Sequence, residues 1–142
     1  MEKRKNYGKY KRGDVVYADF GHKLAGVQGG IRPCVIVSCD ASNHEGAPMV
    51  TVCPLSSKLK DIPVHVQIKP NDVIGYRLKA ISDFLPEDIQ TVSKMAIRGK
   101  TGYIPVEAEV MEQIDRALIR QFNLIHAARN MVMEELSDGS EN

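Results

Sequence analysis

Apolar residues recur along the first two-thirds of the chain in short runs, each closed by glycine, proline or a polar turn. "GDVVYADF" (13–20) combines β-branched and aromatic residues behind a turn glycine. "PCVIVS" (33–38) is apolar almost throughout, as expected of a strand buried on both faces. "MVTVCPLS" (49–56) reads as a third strand. "PVHVQIK" (63–69) alternates, setting Val64, Val66 and Ile68 on one face and His65 and Gln67 on the other. "RLKAISDF" (77–84) and "DIQTVSKMAI" (88–97) are weaker strand patterns, and "DASNHEGAP" (40–48) is turn chemistry. Short strands at this spacing predict a small antiparallel barrel rather than a layered α/β fold.

The period changes at Pro105. From there Val110, Ile114, Ala117, Leu118 and Phe122 form one helical stripe, with proline in the first turn. Glu107, Glu109 and Glu112 favour the positive end of the helix dipole. The pattern predicts one long C-terminal amphipathic helix packed on the barrel, with Met111, Met131 and Met133 as core or partner contacts, core being favoured. The fold class is therefore mainly β with an α component. There is no internal repeat and no second domain.

A chain of 142 residues suits one domain that needs no metal or disulfide staples. No apolar run reaches the roughly 18 residues of a membrane span. The basic start "MEKRKNYGKYKRG" has no apolar stretch behind it, so it is not a secretory signal. Cys34, Cys39 and Cys53 lack metal-ligand spacing and lie in or beside apolar runs, which predicts reduced, buried thiols in a cytoplasmic protein. Net charge is +1, but residues 1–13 carry six bases against one acid and residues 134–142 four acids and no base. The expected organisation is a flexible basic arm at 1–12, a folded domain at 13–130, and an acidic tail at 131–142, disordered at its end. A basic arm suits a phosphate-backbone partner, and equally a solubilising tail.

"GVQGGIRPCVIVS" (26–38) places one arginine between flexible glycines and a rigid apolar strand. Proline biases the residue before it toward an extended backbone, so Arg32 is held at the mouth of the strand. That suits a group that meets an anion; a surface salt bridge is the plainer alternative.

Taken in order, "GDVVYADF", a loop ending in "QGGIRP", an apolar strand, a polar turn with Asn43, "PLSSK" and "IPVHVQI" resemble the MazF/PemK family of toxin endoribonucleases. The likeness covers roughly residues 12–126 and is strongest from 13 to 68. It implies an SH3-like barrel, a homodimer, metal-independent cutting of single-stranded RNA, no cofactor, no membrane, and a cognate antitoxin partner. The family's catalytic arginine carries over onto Arg32, and its catalytic threonine onto Ser56, a departure that keeps the hydroxyl and loses a methyl. Ser57, next in the chain, is the alternative hydroxyl. Gln28 matches a loop position that covers substrate, Gly30 belongs to the same loop, and Gln90 falls in a strand lining the RNA groove.

RNA carries its own nucleophile in the 2′-hydroxyl, so the protein needs to supply charge stabilisation and alignment. A guanidinium matches phosphate oxygens and stays protonated, which makes Arg32 a clamp. Ser56 can donate to a phosphate oxygen or accept from the 2′-hydroxyl. Lys58 and Lys60 follow the serines and could hold flanking phosphates or simply solvate a turn. His65 titrates near neutrality, so it is a candidate for substrate contact or proton transfer; a hydrogen-bonded structural histidine is the alternative. Asp14 and Asp19 fit turn caps or ion pairs. The scattered carboxylates do not make the pattern of a metal nuclease. A gyrase-poisoning toxin of the CcdB kind on the same barrel, or an inactive relative that still binds RNA or antitoxin, are the other classes compatible with the resemblance.

Overall fold

The computed structural model describes residues 6–22, 24, 29–75 and 78–140. Its strands are β1 (Asp14–Asp19), β2 (Ile31–Ile36), β3 (Met49–Ser56), β4 (Val66–Ile68), β5 (Ile74–Gly75), β6 (Ser82–Phe84), β7 (Gln90–Ser93) and β8 (Ile97–Tyr103). Two helices follow, α1 (Glu109–Gln121) and α2 (Ile125–Ser140). The strands pair antiparallel in the order β4-β6-β3-β2-β1-β8-β5, with β7 also on β3. Two register shifts between β1 and β8 sharpen the twist and help curl the sheet into a half-barrel. Gly102 on β8 is needed there: an added Cβ would stand 2.1 Å from the Ile74 carbonyl of β5.

Strand β3 is shared among three partners. Met49–Val52 pair with β7, Val52–Pro54 with β2, and Leu55–Ser56 with β6. The ladder between β2 and β3 ends at Cys34 and Pro54. Pro33 stands just before that point on β2 and Pro54 on β3, and neither has an N–H to offer a neighbouring strand. Beyond them β3 departs for β6.

Alternate residues of the central strands feed two cores, which is why "PCVIVS" is apolar almost throughout. Val15, Val35, Cys53, Leu55, Val66, Ile68 and Phe84 pack with Ile104, Val110, Met111, Ile114 and Ala117, so α1 closes this face. Val16, Ala18, Phe20, Cys34, Ile36, Val50, Val52 and Val92 pack on the other. Burying a Val- or Leu-sized side chain contributes about 1.5–3 kcal/mol.

The single terminal helix expected from the periodicity is two. Asn123 takes a left-handed backbone (φ 53°), Asn123 N–H bonds the Arg120 carbonyl and Leu124 N–H that of Ile119, which ends α1. Phe122, expected in the buried stripe, is half exposed because it caps the helix instead of continuing it. Residues 131–140, expected within an acidic tail, continue α2. Met111 is core, whereas Met131 and Met133 are 62% and 58% exposed on α2. Among the described residues no helix is long and apolar enough to cross a membrane.

Residues 6–12, expected as part of a flexible arm, lie against the 37–45 segment and α1. Tyr7 N–H donates to the Glu45 carbonyl (2.9 Å), Arg12 N–H to Asp40 (2.7 Å) and Arg12 Nε to the Val37 carbonyl (3.0 Å), while Arg12 pairs with Asp115 at 2.5 Å. Lys94 is buried beneath this contact. Its ammonium donates to the carbonyls of Gly8, Asn43 and His44 at 2.9–3.1 Å. Burial lowers its pKa, with Glu45 opposing.

Cys34 and Cys53 are buried and free, but Cys39 is exposed, because it begins the polar turn rather than ending the strand. Burial pushes the Cys34 thiol up to about 12 and raises Cys53 too, while hydrogen bonding to Ser42 lowers Cys39. A thiol reagent at mildly alkaline pH should therefore label Cys39 in the native protein and all three cysteines after denaturation, as read by peptide mass spectrometry. Native labelling of Cys34 or Cys53 would contradict this packing.

Candidate active site

The site candidates are brought together by strand register. Cys34↔Pro54, Val35↔Cys53 and Ile36↔Val52 pair across β2 and β3; the ladder ends at Cys34–Pro54, and Arg32 and Ser56 each stand two residues beyond that end. Both side chains share the face of Cys34 and Ile36, opposite the face under α1. Ser56 also pairs with Asp83 on β6, and Asp83 with Gln67 on β4. One face thus carries Gln67, Asp83, Ser56 and Arg32 across four successive strands. The row crosses the place where β2 and β3 part.

Arg32 lies inside β2, as its second residue, and not in the loop before it: it pairs with Ala18 of β1. Its Nε donates to the Gly29 carbonyl at 2.5 Å, which fixes the plane of the guanidinium. Gly30 has φ +75°, and its N–H and C=O bond Gly21 and Phe20, closing the neck of the β1–β2 connection. Gln28 lies outside the described residues.

Ser56 is 6% exposed and accepts the Lys58 N–H at 3.2 Å. Ser57 is exposed and next in sequence, so its side chain leaves from the other side of the chain. Lys58 and Lys60 stand in the exposed turn that follows, and the Lys60 N–H donates to Asp83 Oδ2 at 2.7 Å. Gln90 opens β7 opposite Val52, on the same face as Ser56 but four residues back along β3, about 13 Å at strand rise. Its amide nitrogen is buried without a partner among the described residues.

His65 was expected on the polar face of a strand. It precedes β4 instead, its N–H bonded to the Ile62 carbonyl in a turn, because Pro63 interrupts strand pairing there. Its ring is 4% exposed, with Nδ1 3.2 Å from Asp83 Oδ2 and Nε2 2.5 Å from Glu87 Oε1. A neutral imidazole has one N–H and can donate to only one of these carboxylates; the imidazolium donates to both. Asp83 and Glu87 are the residues that sequence reading missed. "ISDF" and "LPED" look like solvated turn ends, and only the register beside Ser56 gives them a place.

Asp14 accepts the Lys11 N–H and pairs with Lys100 (3.2 Å); Asp19 accepts the Gly21 N–H and pairs with Arg98 (3.4 Å). Both cap turns and hold bases. Among the described residues no group of three or more His, Cys, Asp or Glu is arranged to hold a metal ion. A hollow of about 500 Å³ lined by Tyr10, Asp40, His44 and Glu45 lies at the far end of β2, and a smaller one of about 220 Å³ lies between His65 and Arg116 of α1. Neither contains Arg32 or Ser56.

Residues 11–122 match the family model described as PemK-like, MazF-like toxin of type II toxin–antitoxin system. Endoribonuclease EndoA of Bacillus subtilis (strain 168) is 31% identical over 110 residues, covering 76% of this chain and 90% of the relative. Among solved structures, an endoribonuclease from Mycobacterial species matches with a TM-score of 0.66 at 22% identity, covering 83% of this chain and 95% of that one. An endoribonuclease in complex with its cognate antitoxin, also from Mycobacterial species, matches at 0.61 and 23%, covering 80% and 93%. These two share the fold of the present chain over the covered part. The matched family segment ends at the residue that caps α1, so α2 lies beyond it. By sequence across both cores and the Arg32–Ser56 row, the chain belongs to the PemK-like, MazF-like family of toxins of type II toxin–antitoxin systems.

Proposed function

We propose that this toxin is an endoribonuclease that cuts single-stranded RNA through the substrate's own 2′-hydroxyl, without a metal. The observation that carries this is that Arg32 and Ser56 fall on one face, each two residues beyond the end of the β2–β3 ladder. Arg32 holds the scissile phosphate and offsets the charge it gains as the 2′-oxygen attacks. Ser56 aligns the attacking hydroxyl. The 2′-oxygen bonds to phosphorus, the 5′-oxygen leaves with a proton, and the products end in a 2′,3′-cyclic phosphate and a 5′-hydroxyl. Lys58 and Lys60 hold flanking phosphates, and Gln28 and Gln90 lie along the path of the strand. Cutting messenger RNA stops translation and growth. A cognate antitoxin with an acidic segment covers the row and excludes RNA. The active form is a homodimer, as the resemblance implies, with two barrels forming one substrate groove.

Arg32→Ala should lower kcat/KM by about 100- to 1,000-fold, the usual loss for one preorganised donor, with an unchanged melting temperature. Arg32→Lys should recover little, because an ammonium cannot make the forked contact. Full activity in the lysine variant would remove the clamp.

Ser56→Ala should impair cutting clearly more than Ser57→Ala in the same single-turnover assay. If Ser57→Ala proves the worse, the aligning hydroxyl is one residue further on.

A single 2′-deoxy substitution 5′ to the scissile phosphate should abolish cutting at that bond in the presence of EDTA, while binding persists. DNA of the same sequence should bind and compete uncut, since its phosphates meet the same cations. A 5′-phosphate product, or cutting at the deoxy position, would require water as nucleophile.

A further inference from the structure

Asp83 is fully buried and sits between the two halves of the site, beside Ser56 in one direction and His65 in the other. Its two oxygens are used unequally. Oδ2 accepts the Lys60 N–H at 2.7 Å and faces His65 Nδ1 at 3.2 Å, whereas Oδ1 is buried with no partner among the described residues. A carboxylate is rarely buried with an oxygen unused, because that oxygen gave up water to be there. Its cross-strand neighbour Ser56 accepts the Lys58 N–H and still has a hydroxyl hydrogen to give. Side chains directly opposite on neighbouring strands have Cβ atoms about 4.5–5.5 Å apart, so a change of the Ser56 rotamer, which releases the Lys58 N–H, brings the hydroxyl within reach of Oδ1.

We propose that Asp83 is a positioning residue that acts through Ser56: its Oδ1 takes the Ser56 hydroxyl hydrogen and so turns a lone pair of Oγ toward the RNA 2′-hydroxyl. This deepens the endoribonuclease function above and rests on Ser56 being the working hydroxyl. The geometry around Oγ then closes. In the rotated serine the hydrogen goes to Asp83 and a lone pair released from the Lys58 N–H accepts from the attacking 2′-hydroxyl. Ser56 in this state has no hydrogen left for a phosphate oxygen, which leaves the phosphate to Arg32. The remaining partners of Asp83 keep it in place. His65, buried and braced by Glu87, holds Oδ2 from one side, and the Lys60 amide holds it from the turn that also carries Lys58. Asp83 itself makes no contact with RNA.

The test is a double-mutant cycle on one RNA substrate, with kcat and KM measured by single-turnover kinetics for the wild type, Ser56→Ala, Asp83→Asn and the double variant. Asparagine keeps an acceptor for the Lys60 amide but presents an NH2 group or an uncharged oxygen to Ser56. Asp83→Asn should lower kcat about tenfold, a typical coupling within one hydrogen-bond network, and leave KM nearly unchanged. In the Ser56→Ala background the same change should do nothing further. An equal loss in both backgrounds would make Asp83 merely structural and overturn the proposal, as would an effect confined to KM or no effect at all. Wild-type activity in Ser56→Ala would instead overturn the role of Ser56 and, with it, that of Asp83. If Asp83→Asn does not fold, Asp83→Val, which suits a strand and leaves no buried charge, carries the same comparison.

Discussion

Proline has no amide hydrogen, and this chain places one on each of two neighbouring strands, Pro33 on β2 and Pro54 on β3. Pro33 has the parity of Val35 and Val37, whose polar groups face β3, so its missing N–H falls on that edge and interrupts the ladder, whereas the Pro54 carbonyl faces β6. The β2–β3 ladder ends at Cys34–Pro54, and on its opposite edge β3 gives its last two residues to β6, with the Leu85 N–H taking the Pro54 carbonyl. Two ends of backbone that would otherwise be zipped together therefore stand apart, and the side chains just beyond them face the gap. Arg32 and Ser56 are those side chains. The apolar runs on either side hold the gap open, since Cys34, Ile36 and Val52 are buried immediately behind it.

Polar groups buried on both sides of the barrel keep its loops in register with this framework. Lys94 gathers three carbonyls from the arm and the turn after β2, leaving no slack at the closed end. Asp83, His65 and Glu87 do the corresponding work at the open end, tying the turn after Ser56 to β6. Such clusters are costly unless every member is satisfied, and removing one partner of a buried charge typically costs several kcal/mol. The Lys94 ammonium makes all three of the hydrogen bonds it can donate. The Asp83 cluster leaves one oxygen, Oδ1, without a partner among the described residues.

Much of the framework was legible in the chain because it depends on local pattern. β3 matched its apolar run residue for residue, and β1 and β2 fell within two residues of theirs. Arg32 stood out because glycine and proline flank it. What escaped depends on contacts between distant segments. β8, "IRGKTGY", is polar on its exposed residues and rich in glycine, so nothing in its own composition marks a strand; pairing with β1 and β5 makes it one. The break between α1 and α2 turns on a single left-handed asparagine inside an otherwise helical pattern. The docking of residues 6–12 needed Lys94, 82 or more positions away, to be buried beneath them. Asp83 reads as a surface acid until β3 and β4 close on either side of it.

The row across the four strands is also polarised, and under the proposed function this polarity would constrain how a strand of RNA lies. Arg32 is a fixed cation at one side of Ser56, and Asp83 a buried carboxylate at the other, with His65 and Glu87 behind it. A phosphate is attracted toward Arg32 and repelled by Asp83, whereas a hydroxyl, which donates, is favoured on the Asp83 side. In RNA the 2′-hydroxyl and the phosphate it attacks belong to the same linkage, so placing one at each end of the row fixes the direction in which the chain crosses Ser56. A linkage laid the other way would set its phosphate against the carboxylate and leave its hydroxyl facing a guanidinium that cannot accept a hydrogen. Under the proposed function, selection between the two orientations would therefore follow from the placement of Arg32 and Asp83 on either side of Ser56, before any base is read.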